Sequence, residues 1–294
     1  MAKETLHILH ASMQVKDSAA ATRDDYAFVF SKGADIISFT ETNTRNGNSQ
    51  IMSQEARQRD YIPITGIGSN QLAVRTRPGV RVKDRGRIKS VTDRYGGRHI
   101  AWVRVNFFGV DIFHHGTHWP IGPDQTPARM AKLRADMLRL IKGHTKYGLC
   151  TFAGDLNADP DQDRYPTRWF RENHLVTMWQ DAGVQVATHG RGATIDYIGR
   201  YGLDRTMDFR RYKVWPRQNS DHRPLSAWYD IEVAKKPSAA PGAKPPSPAP
   251  IPVPAPVYPE RDYATGGNVD WSDYTDDELY ALPYAVDDSD LVNG

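Results

Sequence analysis

The chain has 294 residues, a net charge of +3 and one cysteine, Cys150. That length holds one large domain with a tail, or two small domains, and the lone cysteine excludes an intrachain disulfide and any metal site built on thiolates. No apolar run is long enough to span a bilayer and no signal-like segment opens the sequence, so the expected setting is intracellular, without a membrane partner.

Leu6, Ile8 and the stretch to Ala11 predict a first strand. Asp17 to Phe30 predicts a helix closed by Gly33, and Asp35 to Thr40 a buried second strand. Residues 98–106 and 109–115 predict a hairpin around Phe107-Phe108. Thr126 as N-cap, Pro127 in the first turn and Gly143 at the end bracket a helix. Met130, Leu133, Met137, Leu140 and Ile141 form its apolar face. Further strands are predicted near 149–153, 194–198, 207–215 and 225–232, with Cys150 as a small core residue. Strands interleaved with occasional helices indicate a layered α/β or α+β fold. No internal repeat is evident.

Composition divides the chain. Residues 1–235 carry 35 Lys/Arg and 25 Asp/Glu, a net of +10, and form the expected catalytic domain. Residues 236–259 are Pro/Ala-rich, the composition of an extended, semi-rigid linker. Residues 260–294 carry 1 basic and 10 acidic residues, and are expected to be disordered apart from one short helix signalled by the capping box Thr275 to Glu278. The opposed charges suggest a domain that binds a polyanion and an acidic tail that binds either that domain or a protein partner. The chain is expected to act as a monomer.

Five polar stations each follow or interrupt an apolar run. Glu41 follows the buried strand 35–40, where a carboxylate can hold a metal or simply cap a loop. His118, in "HHGTHWP", follows a strand that points His114 and His115 to opposite faces; this favours His118 as a phosphate contact over a three-histidine metal site. Asp155 and Asn157, in "GDLN", place a carboxylate and an amide on one side of a strand end, or make an Asx turn. Asp196, in "TIDYIG", is flanked by apolar residues and needs a cation, histidine or metal beside it. Asp221 and His222, in "SDHRPL", supply an adjacent carboxylate and imidazole, and His222 is the natural partner of Asp196. Cleaving a phosphate ester requires neutralising charge at phosphorus and activating water, and hard oxygen ligands suit Mg²⁺ or Mn²⁺ for that task.

Taken in order, Glu41, His118, Asp155-x-Asn157, Asp196-Tyr-Ile and Ser220-Asp221-His222 resemble the endonuclease/exonuclease/phosphatase superfamily, which includes DNase I-like and exonuclease III-type nucleases. The resemblance covers about residues 5–232, and "GDLN" and "SDHRPL" are its most specific parts. It implies a four-layered α/β sandwich of two mixed β-sheets flanked by helices, and hydrolysis of phosphate esters with a divalent metal, usually Mg²⁺. Carried over residue by residue, it implies that Glu41 binds the metal and Asp221 lies in the metal or water network. Asp155 would orient or deprotonate water, Asn157 position it or the phosphate, and His222, paired with Asp196, contact the phosphate, as would His118. The family's usual asparagine at the end of the first strand is replaced here by Ser12, with Gln14 two residues on. No glutamate is evident as a partner for His118.

Arg81, Lys83, Arg85, Arg87 and Lys89 occur at every second position and, if extended, put five cations on one face, a ribbon suited to a phosphate backbone. Arg75, Arg77, Arg94 and Arg98 flank it; Arg205, Arg210, Arg211 and Lys213 form a second cluster, and Trp119 is either a stacking platform or core. The expected partner is nucleic acid, DNA before RNA by family frequency. The competing readings are a phosphatase on a small phosphorylated molecule or lipid headgroup, and a non-catalytic binding module.

Overall fold

Two six-stranded sheets are built from runs whose alternate residues face different apolar partners. The computed structural model describes residues 2–13, 18–42, 48–65, 70–158, 164–202 and 206–234, with backbone alone for 164–167. The linker, the acidic segment, Gln14 and Arg205 lie outside the described residues. In chain order the elements are β1 (Ala2–Ser12), α1 (Ala19–Phe30), β2 (Ile36–Thr40), α2 (Asn48–Arg57), β3 (Tyr61–Ile64), β4 (Gln71–Arg75), β5 (Val80–Asp93), β6 (Gly96–Phe107) and β7 (Val110–His118). There follow α3 (Pro127–His144), β8 (Leu149–Asp155), α4 (Arg164–Glu172), β9 (Leu175–Thr177), α5 (Met178–Ala182), β10 (Asp196–Tyr201), β11 (Met207–Val214) and β12 (Leu225–Val233).

The strand orders are β11-β12-β1-β2-β4-β3 and β5-β6-β7-β8-β10-β9. In each sheet the third and fourth strands, β1 with β2 and β7 with β8, run parallel, while their outer neighbours pair antiparallel. The two sheets therefore repeat one pairing pattern. Each parallel pair needs a helical crossover, supplied by α1 and α3. The first, α1, begins two residues later than expected, at Ala19, where the Ser18 side chain accepts from the backbone N–H of Ala21, while Thr126 starts α3 as the sequence predicts, accepting from the backbone N–H of Arg129. The second helix does not stop at Gly143; it continues to His144 and is capped by Thr145.

Leu9, Ala11, Ile37 and Phe39 pack with Tyr26, Val29 and Phe30 of α1 and Ile51, Met52 and Ala56 of α2. The alternate residues Leu6, Ile8 and Ile36 join the larger core with Val103, Val105 and Ile112 of the second sheet. Gly116 confirms which face of β7 meets the other sheet, because a Cβ there would strike Leu72 and Ser38. Toward the carboxyl ends of the parallel strands this inter-sheet face changes character. Leu6 and Ile8 give way to His10 and Ser12, Ile36 to Ser38 and Thr40, and Ile112 to His114 and His118. The packed core thus opens, at one end, into a polar floor.

Two β-bulges in β5 correct the expected ribbon. The register with β6 shifts between Val82 and Asp84 and again between Lys89 and Val91. Arg81 stands opposite Asn106, but Arg85, Arg87 and Lys89 stand opposite Val103, Ala101 and His99. Residues directly opposite share a face, so Arg85, Arg87 and Lys89 lie on one face, Arg81 on the other, and Lys83 occupies the bulge. Arg98 is also no surface cation, being only 5% exposed. Trp119 is fully buried core, as is Cys150, whose thiol is pushed up by burial. Among the described residues no helix is long and apolar enough to cross a membrane.

Candidate active site

Strand register brings the stations together before any side-chain contact is considered. Ser12 is aligned with Thr40 at the ends of β1 and β2, and Glu41 is the next residue. His118 is aligned with Asp155 at the ends of β7 and β8, and Asp196, the first residue of β10, lies opposite Asp155 on its other side. His222 is tied to His189 by an isolated bridge, and Ser220 Oγ donates to the Ser12 carbonyl at 2.8 Å. The segment 220–222 is therefore fixed to the end of β1, some two hundred residues away in sequence.

Asp196 and His222 form the dyad expected from the sequence, with His222 Nδ1 2.8 Å from Asp196 Oδ2. The sequence reading missed a second histidine on the same carboxylate. His10 Nε2 lies 3.0 Å from Asp196 Oδ1, and its Nδ1 is 3.2 Å from the Ser38 carbonyl. Two backbone N–H groups nearby, of Ile195 and Asp196, donate to Thr188 Oγ1 and fix the start of β10. Burial alone would raise the Asp196 carboxyl; the charge and hydrogen bond of His222 and the hydrogen bond from His10 reverse this and hold it below the usual carboxylate range. Burial opposes a proton on His222, but Asp196 first, then Asp155 and Glu41, raise it to about 10.

Asp155 occupies the centre. Its Oδ1 accepts from the Asn157 backbone N–H at 2.8 Å, an Asx turn that holds Asn157 at a φ of 48°. Its Oδ2 lies 3.6 Å from His118 Nε2 and 3.8 Å from His222 Nε2. Burial and the neighbouring carboxylates of Asp196 and Glu41 push its proton affinity well above the ordinary carboxylate. Asn157 Nδ2 donates to the Trp119 carbonyl at 3.0 Å, so its amide braces the β7 end. Asp221 faces outward from the group, with Oδ2 3.2 Å from His189 Nε2 and Oδ1 3.8 Å from His222 Nε2. His189, like His10, was not singled out in the sequence, because its contact is made only by the loop fold.

The donor set fits a hard divalent cation. Ligand atoms of Glu41, His118 and Asp155 lie within 4.8 Å of one another, as do those of Asp155, Asp196 and His222. The Glu41 carboxyl is raised by burial, with Asp221 and Asp196 adding to the crowding and His222 opposing it. A cation would relieve that repulsion. Glu41 also sits at φ 58°, a left-handed conformation disfavoured for a side chain of this kind and common at functional sites. Ser12 Oγ and Thr40 Oγ1 are buried without a hydrogen-bond partner, leaving oxygens available beside Glu41. Among the described residues, His114 and His115 belong to none of the possible metal groupings; they bond Thr151 Oγ1 and His144 respectively.

The chain resembles solved structures over most of its length. D. rerio TDP2 complexed with a single-strand DNA product aligns at a TM-score of 0.65 and 16% identity, covering 76% of this chain and 98% of that one. An endonuclease/exonuclease/phosphatase from Bacteroides vulgatus aligns at 0.65 and 14% identity, covering 78% and 100%. The human Nocturnin catalytic domain with bound sulfate aligns at 0.63 and 13% identity, covering 78% and 94%. At such identities the likeness is one of fold. No curated protein sequence matches the chain. The model of one family does match, over residues 13–268. Two mixed sheets flanked by helices, strand ends carrying Glu41, His118, Asp155 and Asp196 with His222 beside them, and this match together identify the chain as a member of the endonuclease/exonuclease/phosphatase family of divalent-metal-dependent phosphoric ester hydrolases.

Proposed function

We propose that the protein is a Mg²⁺- or Mn²⁺-dependent nuclease that hydrolyses the DNA backbone by attack of water on phosphorus. The observation that carries this reading is the placement of Asp155 Oδ2 between two imidazole nitrogens, at 3.6 and 3.8 Å. A water oriented by Asp155 has two N–H donors beside it for the non-bridging oxygens of a phosphate. Glu41 with Asp155, supported by Ser12 and Asp221, would hold a divalent cation, which when bound would supply charge neutralisation at phosphorus and make water more acidic. Asp155 orients that water and receives its proton as the new P–O bond forms; the P–O bond to the leaving sugar oxygen breaks, and that oxygen takes a proton from solvent. His222, held by Asp196, and His118 donate to the phosphate as negative charge builds on it. Asn157 keeps the Asp155 carboxylate and the end of β7 in register.

Arg85, Arg87 and Lys89, aligned on one face of an edge strand, support a polyanionic substrate over a small phosphate ester. A protein of the same fold, D. rerio TDP2, is complexed with a single-strand DNA product. The test is cleavage of supercoiled DNA, abasic duplex, single strands, RNA and inositol phosphates with Mg²⁺, Mn²⁺ or chelator. Asp155→Ala and His222→Ala should each reduce metal-dependent DNA cleavage by roughly 10²–10⁴. Full activity in both variants sinks catalysis at this site, and cleavage confined to inositol phosphates at high salt makes the protein a phosphatase.

A further inference from the structure

His118 and His222 face the same carboxylate oxygen but are backed by groups of opposite charge. Behind His222 stands the carboxylate of Asp196. Behind His118 stands Arg98, whose Nη1 lies 2.8 Å from His118 Nδ1. A guanidinium has only N–H donors, so Nδ1 of His118 must be the acceptor and the ring proton must sit on Nε2, the atom facing Asp155. Arg98 is itself held by a buried ion pair: its Nε donates to Asp93 Oδ2 at 2.6 Å, with the two side chains 6% and 0% exposed. Asp93 is braced in turn by the Tyr95 backbone N–H at 2.8 Å, across the β5–β6 turn.

We infer that Arg98, anchored by Asp93, is a positioning residue that locks His118 as a neutral Nε2–H donor, so that the two histidines divide their work. A carboxylate behind an imidazole favours a proton on both ring nitrogens, which is the situation of His222. A guanidinium behind it denies it a second proton and fixes one N–H toward the substrate. His118 then contributes a fixed dipole, strengthened by the cation at its back, and leaves the proton of water to Asp155. This rests on the phosphodiesterase reading for its catalytic meaning, though not for the tautomer.

The experiment uses the full chain labelled with ¹⁵N-histidine and free of metal. Ring ¹H–¹⁵N correlations should show His118 as the Nε2–H tautomer, in contrast to His115, whose Nδ1 faces the Thr151 carbonyl. The paired variant Asp93→Asn/Arg98→Met removes both buried charges, which avoids stranding one of them. It should leave the His115 signals in place, shift His118 toward the other tautomer, and lower kcat on bis(p-nitrophenyl) phosphate by on the order of 10² with KM little changed. Arg98→Lys, which keeps a donor-only cation, should restore part of both. An Nδ1–H tautomer for His118 in the wild-type chain, or an unaltered kcat and tautomer in the paired variant, overturns the inference. A wild-type chain inactive on every phosphodiester but carrying Nε2–H His118 would overturn the catalytic reading and leave the tautomer lock standing.

Discussion

Gly154 carries no functional group, yet it governs the distance between two residues that do. It lies in β8 opposite Thr117 of β7, one position before the aligned pair His118 and Asp155. A Cβ at this position would land on the Thr117 carbonyl oxygen, which is ladder backbone and cannot rotate away. Gly154→Ala should therefore spread β7 from β8 at the active-site end, costing roughly 1–3 kcal/mol by overpacking and lowering activity more than that loss of stability explains. Urea denaturation and steady-state cleavage on the same preparation measure both; a variant of wild-type stability and rate would show that the strands tolerate the intrusion. The need for the glycine of "GDLN" was not legible in the sequence, because the carbonyl its Cβ would strike belongs to another strand. Arg98 was read as a ribbon cation because it follows a run of alternating basic residues. Its anchor Asp93 lies only five positions away, but the turn that joins them, and the approach to His118, appear only in three dimensions. His10 is hidden for the same reason, since its partner Asp196 is 186 positions distant.

At the scale of elements, β7 and α3 are joined by a pair of histidines that take no part in the proposed chemistry. His115 Nε2 lies 2.9 Å from His144 Nδ1, and His144 also stacks on Phe113 at 4.4 Å. Burial lowers His115 to about 4, and burial with His115 and Arg104 lowers His144 to about 2, from an ordinary value of 6.5. A lowered folded-state value means that protons favour the unfolded chain. Stability from these histidines is therefore complete above the unfolded value of 6.5 and declines as pH falls below it, by about 2 kcal/mol per histidine by pH ~5. His7 and His114, each lowered by burial to about 3, act in the same direction. The raised His222 acts in the other direction only above 6.5, while the raised carboxyls of Glu41 and Asp155 oppose the loss as pH falls, so the comparison with a His144 variant isolates the histidine contribution. Thermal melts from pH ~8 to ~5 should show a smaller loss on acidification for His144→Phe than for the wild type; parallel profiles for the two would refute the assignment. Elements with strong alternation or caps, such as β1, β2, the β6–β7 hairpin and α3, were legible in the sequence. The bulges of β5 were not, because an extra residue in one strand is defined by the partner it fails to face.

For the whole molecule, the order of the polar stations was readable, but the reason they meet was not. The two sheets repeat one pairing pattern without a repeat in sequence, so each contributes a parallel pair whose carboxyl ends meet at one polar floor. Charge distribution is the remaining property of this scale. Residues 1–235 carry a net of +10 and residues 260–294 a net of −9. If the first part binds DNA through its cations, the second is a tethered competitor for them. The strength of such competition should depend on screening. At low ionic strength, truncation after residue 235 should tighten DNA binding and raise cleavage at limiting DNA. The difference should vanish as salt shortens the Debye length toward about 8 Å. Cleavage of a small neutral-flanked phosphodiester should be the same in both forms, because one phosphate offers the tail little to displace. Equal affinity and equal cleavage of DNA at low salt would mean that the acidic segment serves another partner, and the charge asymmetry would then be a property of that complex.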